Sequence, residues 1–263
     1  MESIIAPAAL SDIDRLQRAA ARAFRLGVLK CDAWSPSMVE KYGDVDVQYP
    51  ALLRASGHRI EPKTFACLDG HFPSKAQLKD FDGFVITGSK FSAYDPDPWI
   101  KQLFGSIKEI RESKKKLLGI CFGHQAIAEA LGGKVEKIGW NLSHEIVQVD
   151  EKFLEEKSFP TPAYGVLCVH QDQVTVVPPQ FNTWSSNDFC KVQGMTSDDD
   201  NVFTIQAHPE FTPEVLGALL SGKKNIPEPL ITDALSRLNE KPNDSLSIGR
   251  WIMEEFFKAE TAK

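Results

Sequence analysis

The sequence predicts an α/β fold with a mostly parallel central sheet flanked by helices, and with additional antiparallel strands in the second half. Three observations support this prediction. Strand-like and helix-like segments alternate through the first half of the 263-residue chain. The strand-like segments there are continuously apolar, as in parallel strands covered on both faces. In the second half, six short strand-like segments follow one another, which is typical of antiparallel ribbons.

The first half opens with the strand-like segment FRLGVLKC, residues 24–31. Residues 35–57 read as a helix that Gly43 and Pro50 interrupt. The strand-like segments TFACLDG, GFVIT and KLLGI follow, with a short helix predicted in SKAQLKDFDG. A longer helix is predicted to begin at Pro98, because apolar residues recur at helical spacing after it. The segment GHQAIAEALGG then reads as a helix that ends at glycines.

The second half continues with short strands and closes with helices. The strand-like segments are EIVQVD, YGVLCVH, QVTVVP, TWSSN, CKVQGMTS and VFTIQAH. The helix-like segments are TPEVLGALLSG, EPLITDALSRL and SLSIGRWIMEEFFKAE. We expect a single domain over residues 24–263 that includes these helices, because no repeat or linker divides it. Residues 1–23 are expected to form an N-terminal helical extension, and a targeting peptide is the alternative.

Composition narrows the class of protein. The formal net charge is −6, which gives no basic field for nucleic acid. No apolar run reaches the length of a membrane span. The five cysteines are scattered, without the close pairs of a zinc site or the even number of a disulfide framework. We therefore expect a cytoplasmic protein that binds neither nucleic acid nor membrane.

Cys121 lies at the junction of a predicted strand and a predicted helix, in the stretch GICFGHQ. A turn this tight strains its apex residue and crowds its neighbours, which explains glycines at positions 119 and 123. The same pattern with serine is a nucleophile elbow. The helix dipole favours a thiolate at this place, and the Phe122 amide is available to an oxyanion. Two alternatives remain for Cys121. It could be a small residue of the apolar core, or it could form the cysteine elbow that also occurs in DJ-1-like proteins.

His208 is the histidine that fits a catalytic base. It ends the strand-like segment VFTIQAH, and Glu210 follows two residues later, so an extended chain directs both to one face. A carboxylate there sets the imidazole tautomer and stabilises the imidazolium. Cys121, His208 and Glu210 therefore form a candidate nucleophile, base and orienting group. Of the other histidines, His58 and His71 lie in polar segments and are expected in solvent, His124 could be structural, and His144 and His170 are placed near strand ends.

Taken together, GICFGHQ and the later QAHPE resemble the class I glutamine amidotransferases, whose pattern is G-x-C-x-G-x-Q followed by H-P-E. Within that family, the segments DGFVITGS, KKKLLGICFGHQ and HQDQV look most like the stand-alone plant γ-glutamyl peptidases and their fungal relatives. The resemblance covers residues 24–220 and implies a flavodoxin-like amidotransferase fold. It also implies acyl transfer to Cys121 through a γ-glutamyl thioester, with no cofactor and no metal.

The resemblance also implies the remaining site residues. Backbone amides near Gly88 or Ser89, together with Phe122, would form the oxyanion hole. Gln125 and the segment 170–172 would lie near the α-amino and α-carboxylate groups of the substrate, which adds His170, Gln171 and Asp172 to the candidates. The usual Gly-Gly-Pro turn of many members is replaced by TGSKFSAYD, so strict preference for glutamine is not expected.

Three functions remain open from the sequence. The first is a hydrolase of small γ-glutamyl compounds such as glutathione-like peptides, conjugates or glutamine. The second is a glutaminase subunit that delivers ammonia to a separate synthetase. We expect no acceptor domain here, because three helix-like segments and no nucleotide-binding glycine loop follow His208. The third is a non-catalytic regulatory protein, against which the intact Cys121, His208 and Glu210 argue.

Overall fold

The computed structural model describes residues 22–240 and 242–259. All nine strands of these residues join one sheet, in the order β2-β1-β3-β4-β9-β8-β7-β5-β6. The strands are β1 (Phe24–Lys30), β2 (Ile60–Ala66), β3 (Gly83–Ile86), β4 (Lys116–Ile120), β5 (Lys134–Val149), β6 (Ala163–Val176), β7 (Phe181–Ser186), β8 (Gly194–Ser197) and β9 (Val202–Ile205). The predicted N-terminal helical extension lies almost wholly outside the described residues.

Eight α-helices accompany the sheet within the described ranges: α1 (Pro36–Tyr42), α2 (Val45–Arg54), α3 (Pro98–Glu112), α4 (Phe122–Ala130), α5 (Glu151–Lys157), α6 (Pro213–Gly222), α7 (Glu228–Ser236) and α8 (Ser245–Trp251). A π-helical turn, Ile252–Phe256, extends α8. No helix of the described residues is long and apolar enough to span a bilayer.

The sheet changes character along its width, as the sequence predicts. Strands β1, β2, β3, β4 and β9 pair in parallel. Strands β5 to β8 pair antiparallel, and β8 pairs antiparallel with β9. Strands β3 and β4 are buried along nearly their whole length, which matches their continuous apolar runs. The expected α/β fold, with a parallel first half and antiparallel additions, is confirmed.

Some predicted element boundaries are wrong. Pro50 lies inside α2 rather than ending a helix, and the break falls at Gly43 alone. Pro50 is buried with the apolar face of α2, so packing outweighs the hydrogen bond that proline cannot donate. The segments YGVLCVH and QVTVVP belong to one strand, β6, because the antiparallel pairing with β5 continues through both of them. The short helix expected in SKAQLKDFDG is a single 3₁₀ turn, Leu78–Asp80.

The two faces of the sheet carry separate apolar cores. One core contains an aromatic cluster in which Phe203 packs against Trp184 and Trp251, with ring centroids 4.8 and 5.0 Å apart. The other core covers the opposite face with α3 and α4. Strands β3, β4 and β9, which are adjacent and parallel, are held between these cores. Their carboxyl ends therefore meet at one edge of the sheet, which is where ligands bind in folds of this kind.

Candidate active site

Cys121 forms the turn between β4 and α4. Its backbone angles are φ 51° and ψ −104°, a left-handed conformation that is unusual for a residue other than glycine. Such strain costs on the order of 1–3 kcal/mol and persists only where the surroundings enforce it. Here the Cys121 N–H donates to the carbonyl oxygen of Ile205 in β9, 2.8 Å away. The elbow is thus fixed by the neighbouring parallel strand.

The two glycines beside the cysteine are required by close packing. A Cβ atom at Gly123 would lie 2.4 Å from the carbonyl oxygen of Ile86 at the end of β3. A Cβ atom at Gly119 would lie 2.6 Å from the Ile127 side chain and 2.8 Å from the Gly123 carbonyl oxygen. Any side chain at either position would push α4 away from the sheet. This is the crowding that the sequence pattern predicts.

His208 follows β9, and a backbone hydrogen bond and a ring contact hold it in place. The strand ends at Ile205, so the expectation that it continues to His208 is wrong. Instead, the His208 N–H donates to the Leu167 carbonyl oxygen of β6, 2.8 Å away, in an isolated bridge. The imidazole stacks on Phe211, with ring centroids 4.2 Å apart and planes 2° from parallel. The antiparallel half of the sheet therefore helps to orient the histidine.

Glu210 lies against His208 although both residues are in a turn. The His208 Nδ1 atom and the Glu210 Oε1 atom are 2.7 Å apart, and the glutamate side chain is fully buried. Burial alone lowers the pKa of His208, but the negative charges of Glu210 and Cys121 outweigh it and raise the pKa to about 10. The imidazole is therefore positively charged at neutral pH when the neighbouring groups are anionic, the state that stabilises a thiolate.

Gly88, two residues after the end of β3, lies beside His208 and Cys121. A Cβ atom at this position would lie 2.9 Å from the His208 ring and 3.7 Å from the Cys121 side chain. The Gly88 N–H donates to the hydroxyl of Tyr49, 2.7 Å away, so it is not free for an oxyanion. Ser89 is anchored differently, because its hydroxyl donates to the Cys31 carbonyl oxygen, 2.7 Å away. The Ser89 amide therefore suits the oxyanion role better than that of Gly88.

A cleft of about 490 Å³ opens beside Cys121, and all four candidate substrate-binding residues line it. Gln125 is largely occupied by the protein: its amide nitrogen donates to the carbonyl oxygen of Asp172 and to the Gln206 side chain, at 2.9 and 3.1 Å. His170 is buried, and its Nδ1 atom lies 3.1 Å from the same carbonyl oxygen. That contact requires an N–H at Nδ1, so Nε2 of the neutral ring is an acceptor.

The carboxylate of Asp172 is bonded to neighbouring side chains. Its two carboxylate oxygens accept hydrogen bonds from the Ser92 and Tyr94 hydroxyls, at 2.6 and 3.0 Å. The carboxylate therefore fastens the loop between β3 and α3 to β6. Asp172 itself lies within β6. Gln171 is half-buried at the edge of the cleft.

The sequence reasoning misses two residues at the site, Tyr49 and Lys223. Tyr49 comes from α2 and is 1% exposed. Lys223 follows α6 and lines both the cleft and a smaller pocket of about 50 Å³ that also contacts His208. Neither residue belongs to a motif. Only the packing of α2 and α6 against the ends of the strands brings them there, so no local pattern could have revealed them.

The positions of the other histidines differ in part from the expectations. His58 is buried, with its Nδ1 atom 2.8 Å from the Ser56 hydroxyl, so its expected exposure is wrong. His71 is exposed, as predicted. His124 is buried in α4 with Nδ1 2.7 Å from the Thr204 hydroxyl, and burial lowers its pKa to about 3. His144 and His170 lie inside long strands rather than near strand ends.

Comparison with known proteins shows the family to which the chain is similar. The family model "Glutamine amidotransferase class-I" matches residues 54–224. The chain belongs to the class-I glutamine amidotransferase family. A glutamine amidotransferase-like protein of Schizosaccharomyces pombe is 29% identical over 250 residues, which cover 88% of this chain and 99% of that protein. Gamma-glutamyl peptidase 3 of Arabidopsis thaliana is 33% identical over 201 residues, or 73% of this chain and 78% of the plant protein.

The solved structures show the same amidotransferase fold. A glutamine amido transferase from Methylobacillus flagellatus superposes with a TM-score of 0.70, over 92% of this chain and 97% of that chain, at 17% identity. The predicted family, with plant γ-glutamyl peptidases and fungal amidotransferase-like proteins among its relatives, is confirmed.

Proposed function

We propose that the protein is a cysteine-dependent hydrolase of γ-glutamyl amide bonds that forms a γ-glutamyl thioester on Cys121. The observation that carries this proposal is the meeting of Cys121 with the His208–Glu210 pair at the ends of two adjacent parallel strands. The Arabidopsis relatives are named γ-glutamyl peptidases, which supports the class of bond.

The first half-reaction acylates the enzyme. The Cys121 thiolate attacks the γ-amide carbon, and the carbonyl oxygen gains the negative charge of a tetrahedral intermediate. The amides of Ser89 and Phe122 are the donors we assign to that oxyanion. The imidazolium of His208 donates its proton to the leaving nitrogen, the carbon–nitrogen bond breaks, and the amine departs. The products of this step are a γ-glutamyl thioester and a free amine.

The second half-reaction returns the enzyme to its starting state. His208, now neutral, accepts a proton from water while the water oxygen attacks the thioester carbon. The carbon–sulfur bond then breaks, which releases glutamate and regenerates the thiolate beside the imidazolium. Glu210 keeps the Nδ1 proton of His208 in place through both steps. Neither step requires a metal or a cofactor.

The glutamyl end of the substrate is proposed to lie along β6. A neutral His170 with an acceptor at Nε2 suits the α-ammonium group. Burial lowers the pKa of His170 to about 4, so the ring stays neutral and does not repel that group. Gln125 and Gln171 complete this side of the cleft. Asp172 holds the loop at Ser92 and is assigned a supporting role rather than contact with substrate.

The charge of the cleft favours a peptide over glutamine. Lys90 is paired with Asp32, with Nζ 3.2 Å from Oδ1. Lys223 and Lys224 also line the cleft, and no ion pair joins either to an acid of the described residues. A γ-glutamyl peptide carries a second carboxylate on its leaving group, whereas glutamine carries none there. Because Lys223 also borders the pocket beside His208, where the leaving nitrogen must lie, we assign it to that carboxylate.

A substrate panel tests the proposal. The purified protein is incubated with glutamine, γ-glutamylalanine, glutathione and a glutathione S-conjugate, and released glutamate is measured. We expect release from the peptides, and slower release from glutamine. Release from glutamine alone would overturn the peptide assignment and favour the glutaminase subunit, which delivers ammonia to a separate enzyme.

Cys121→Ala is the decisive variant for the thioester mechanism. We expect glutamate release to fall by roughly 10⁴-fold or more, because no other group can form the thioester. Cys67→Ala is the matched control. Cys67 is also a fully buried free cysteine, but it lies after β2 and away from the cleft. Turnover that persists in Cys121→Ala would exclude the mechanism.

A further inference from the structure

The Tyr49 hydroxyl is a buried polar group within the candidate site that the proposed reaction does not use. Tyr49 lies on α2, is 1% exposed, and borders the small pocket that His208 and Cys121 also line. Its oxygen accepts the hydrogen bond of the Gly88 N–H at 2.7 Å. Because that bond occupies an acceptor position, the phenolic proton needs an acceptor of its own in a site sheltered from water.

Glu210 is the acceptor that fits this proton. One of its oxygens, Oε1, is bonded to His208, whereas Oε2 is buried and has no hydrogen-bond partner among residues 22–240 and 242–259. Tyr49 lies close enough to Glu210 for the carboxylate charge to add to burial in raising the pKa of the phenol, which therefore keeps its proton. A carboxylate with one free oxygen and a phenol with one free proton complement each other.

We propose that Tyr49 is a positioning residue that joins the oxyanion strand to the catalytic triad. Its hydroxyl would accept the hydrogen bond of the Gly88 N–H and so set the direction of the following Ser89 amide. The same hydroxyl would donate its proton to Glu210 and so hold the carboxylate against His208. This inference rests on the proposed function, since it assigns Tyr49 a part in that reaction. Without its hydroxyl, the Gly88 N–H and the Glu210 carboxylate would both be buried without this partner.

Tyr49→Phe tests the inference, with Tyr164→Phe as the matched control. Tyr164 is also 1% exposed, and its hydroxyl lies 3.2 Å from the Ser185 hydroxyl in the apolar core rather than at the cleft. For Tyr49→Phe we expect kcat to fall roughly 10- to 100-fold and KM to stay within about twofold, because the substrate contacts remain. Tyr164→Phe is expected to keep both constants near those of the unaltered protein.

Alkylation of Cys121 by iodoacetamide at neutral pH gives a readout that needs no substrate. Its rate reports thiolate stabilisation by the His208–Glu210 pair, so we expect it to fall severalfold in Tyr49→Phe and not in Tyr164→Phe. Rates are expressed per folded molecule, from thermal melts of each variant. Equal behaviour of the two variants in kcat and in alkylation would overturn the inference. If the unaltered protein cleaves no γ-glutamyl compound, the proposed function fails, while the alkylation comparison still decides the role of Tyr49.

Discussion

Two regions of this protein carry the same short pattern, a histidine followed two residues later by an acid. In one region, His208 contacts the side chain of Glu210, and its pKa rises to about 10 even though burial by itself lowers it. In the other region, His170 contacts only the backbone oxygen of Asp172, and burial lowers its pKa to about 4. Both histidines are buried, so the difference comes from the negative charges of Glu210 and Cys121 beside His208.

The two carboxylates differ in their hydrogen-bond partners. The Asp172 carboxylate is occupied by the Ser92 and Tyr94 hydroxyls of the loop after β3. Among residues 22–240 and 242–259, His208 is the hydrogen-bond partner of the Glu210 oxygen that faces it, and the glutamate side chain is fully buried. The comparison teaches that histidine–acid spacing is a catalytic signal only when the fold leaves the carboxylate free to meet the imidazole.

Exchange of each histidine for alanine is the strongest test of the difference between His208 and His170. His208→Ala is expected to lower kcat by roughly 10³-fold or more, because it removes both the thiolate partner and the proton carrier. His170→Ala removes a neutral acceptor, so we expect it to act mainly by raising KM, by about tenfold. Steady-state kinetics with γ-glutamylalanine measure both. An equal loss of kcat in the two variants would show that the regions do not differ in role.

Exchange of each acid for its amide is expected to have a smaller effect on activity. Glu210→Gln removes the charge that raises the pKa of His208, so burial is less opposed and the pKa must fall from about 10. We expect kcat to fall by roughly 10²-fold or more, since the tautomer is also disturbed. Asp172→Asn is the control. We expect it to leave the pKa of His170 low, because His170 contacts the backbone oxygen of Asp172 rather than its carboxylate.

Proton NMR titration of the imidazole rings measures these shifts. A His208 pKa that stays near 10 in Glu210→Gln would contradict the assignment of Glu210 as its charge partner. A His170 pKa that changes as much in Asp172→Asn would show that the Asp172 carboxylate acts on His170 despite its two hydroxyl partners.

Lys223→Gln is expected to give the smallest effect. It tests whether Lys223 binds the carboxylate of the leaving group. If Lys223 contacts the second carboxylate, KM for γ-glutamylalanine should rise about three- to tenfold, the scale of one partly exposed charge contact. KM for the corresponding C-terminal amide should be unchanged. Lys108→Gln, an exposed lysine on α3, is the control. Equal changes with the peptide and its amide would remove Lys223 from substrate recognition.

Much of the fold could be predicted from local patterns. Continuous apolar runs mark the parallel strands, and Pro98 begins α3 where helical spacing begins. The glycines beside Cys121 signal a crowded turn because crowding acts between neighbours in the chain. By contrast, the lengths of β5 and β6 could not be read locally, since their continuous pairing depends on the partner strand.

The sequence by itself determined the α/β class, the cysteine elbow and the proximity of Glu210 to His208, because these depend on residues a few positions apart. Only the tertiary structure decided which of two histidine–acid pairs has a free carboxylate. It also decided that the Gly88 N–H donates to the Tyr49 hydroxyl and that Lys223 borders the cleft. These contacts join elements that are distant in the chain, and competition among their hydrogen-bonding groups depends on packing rather than on spacing.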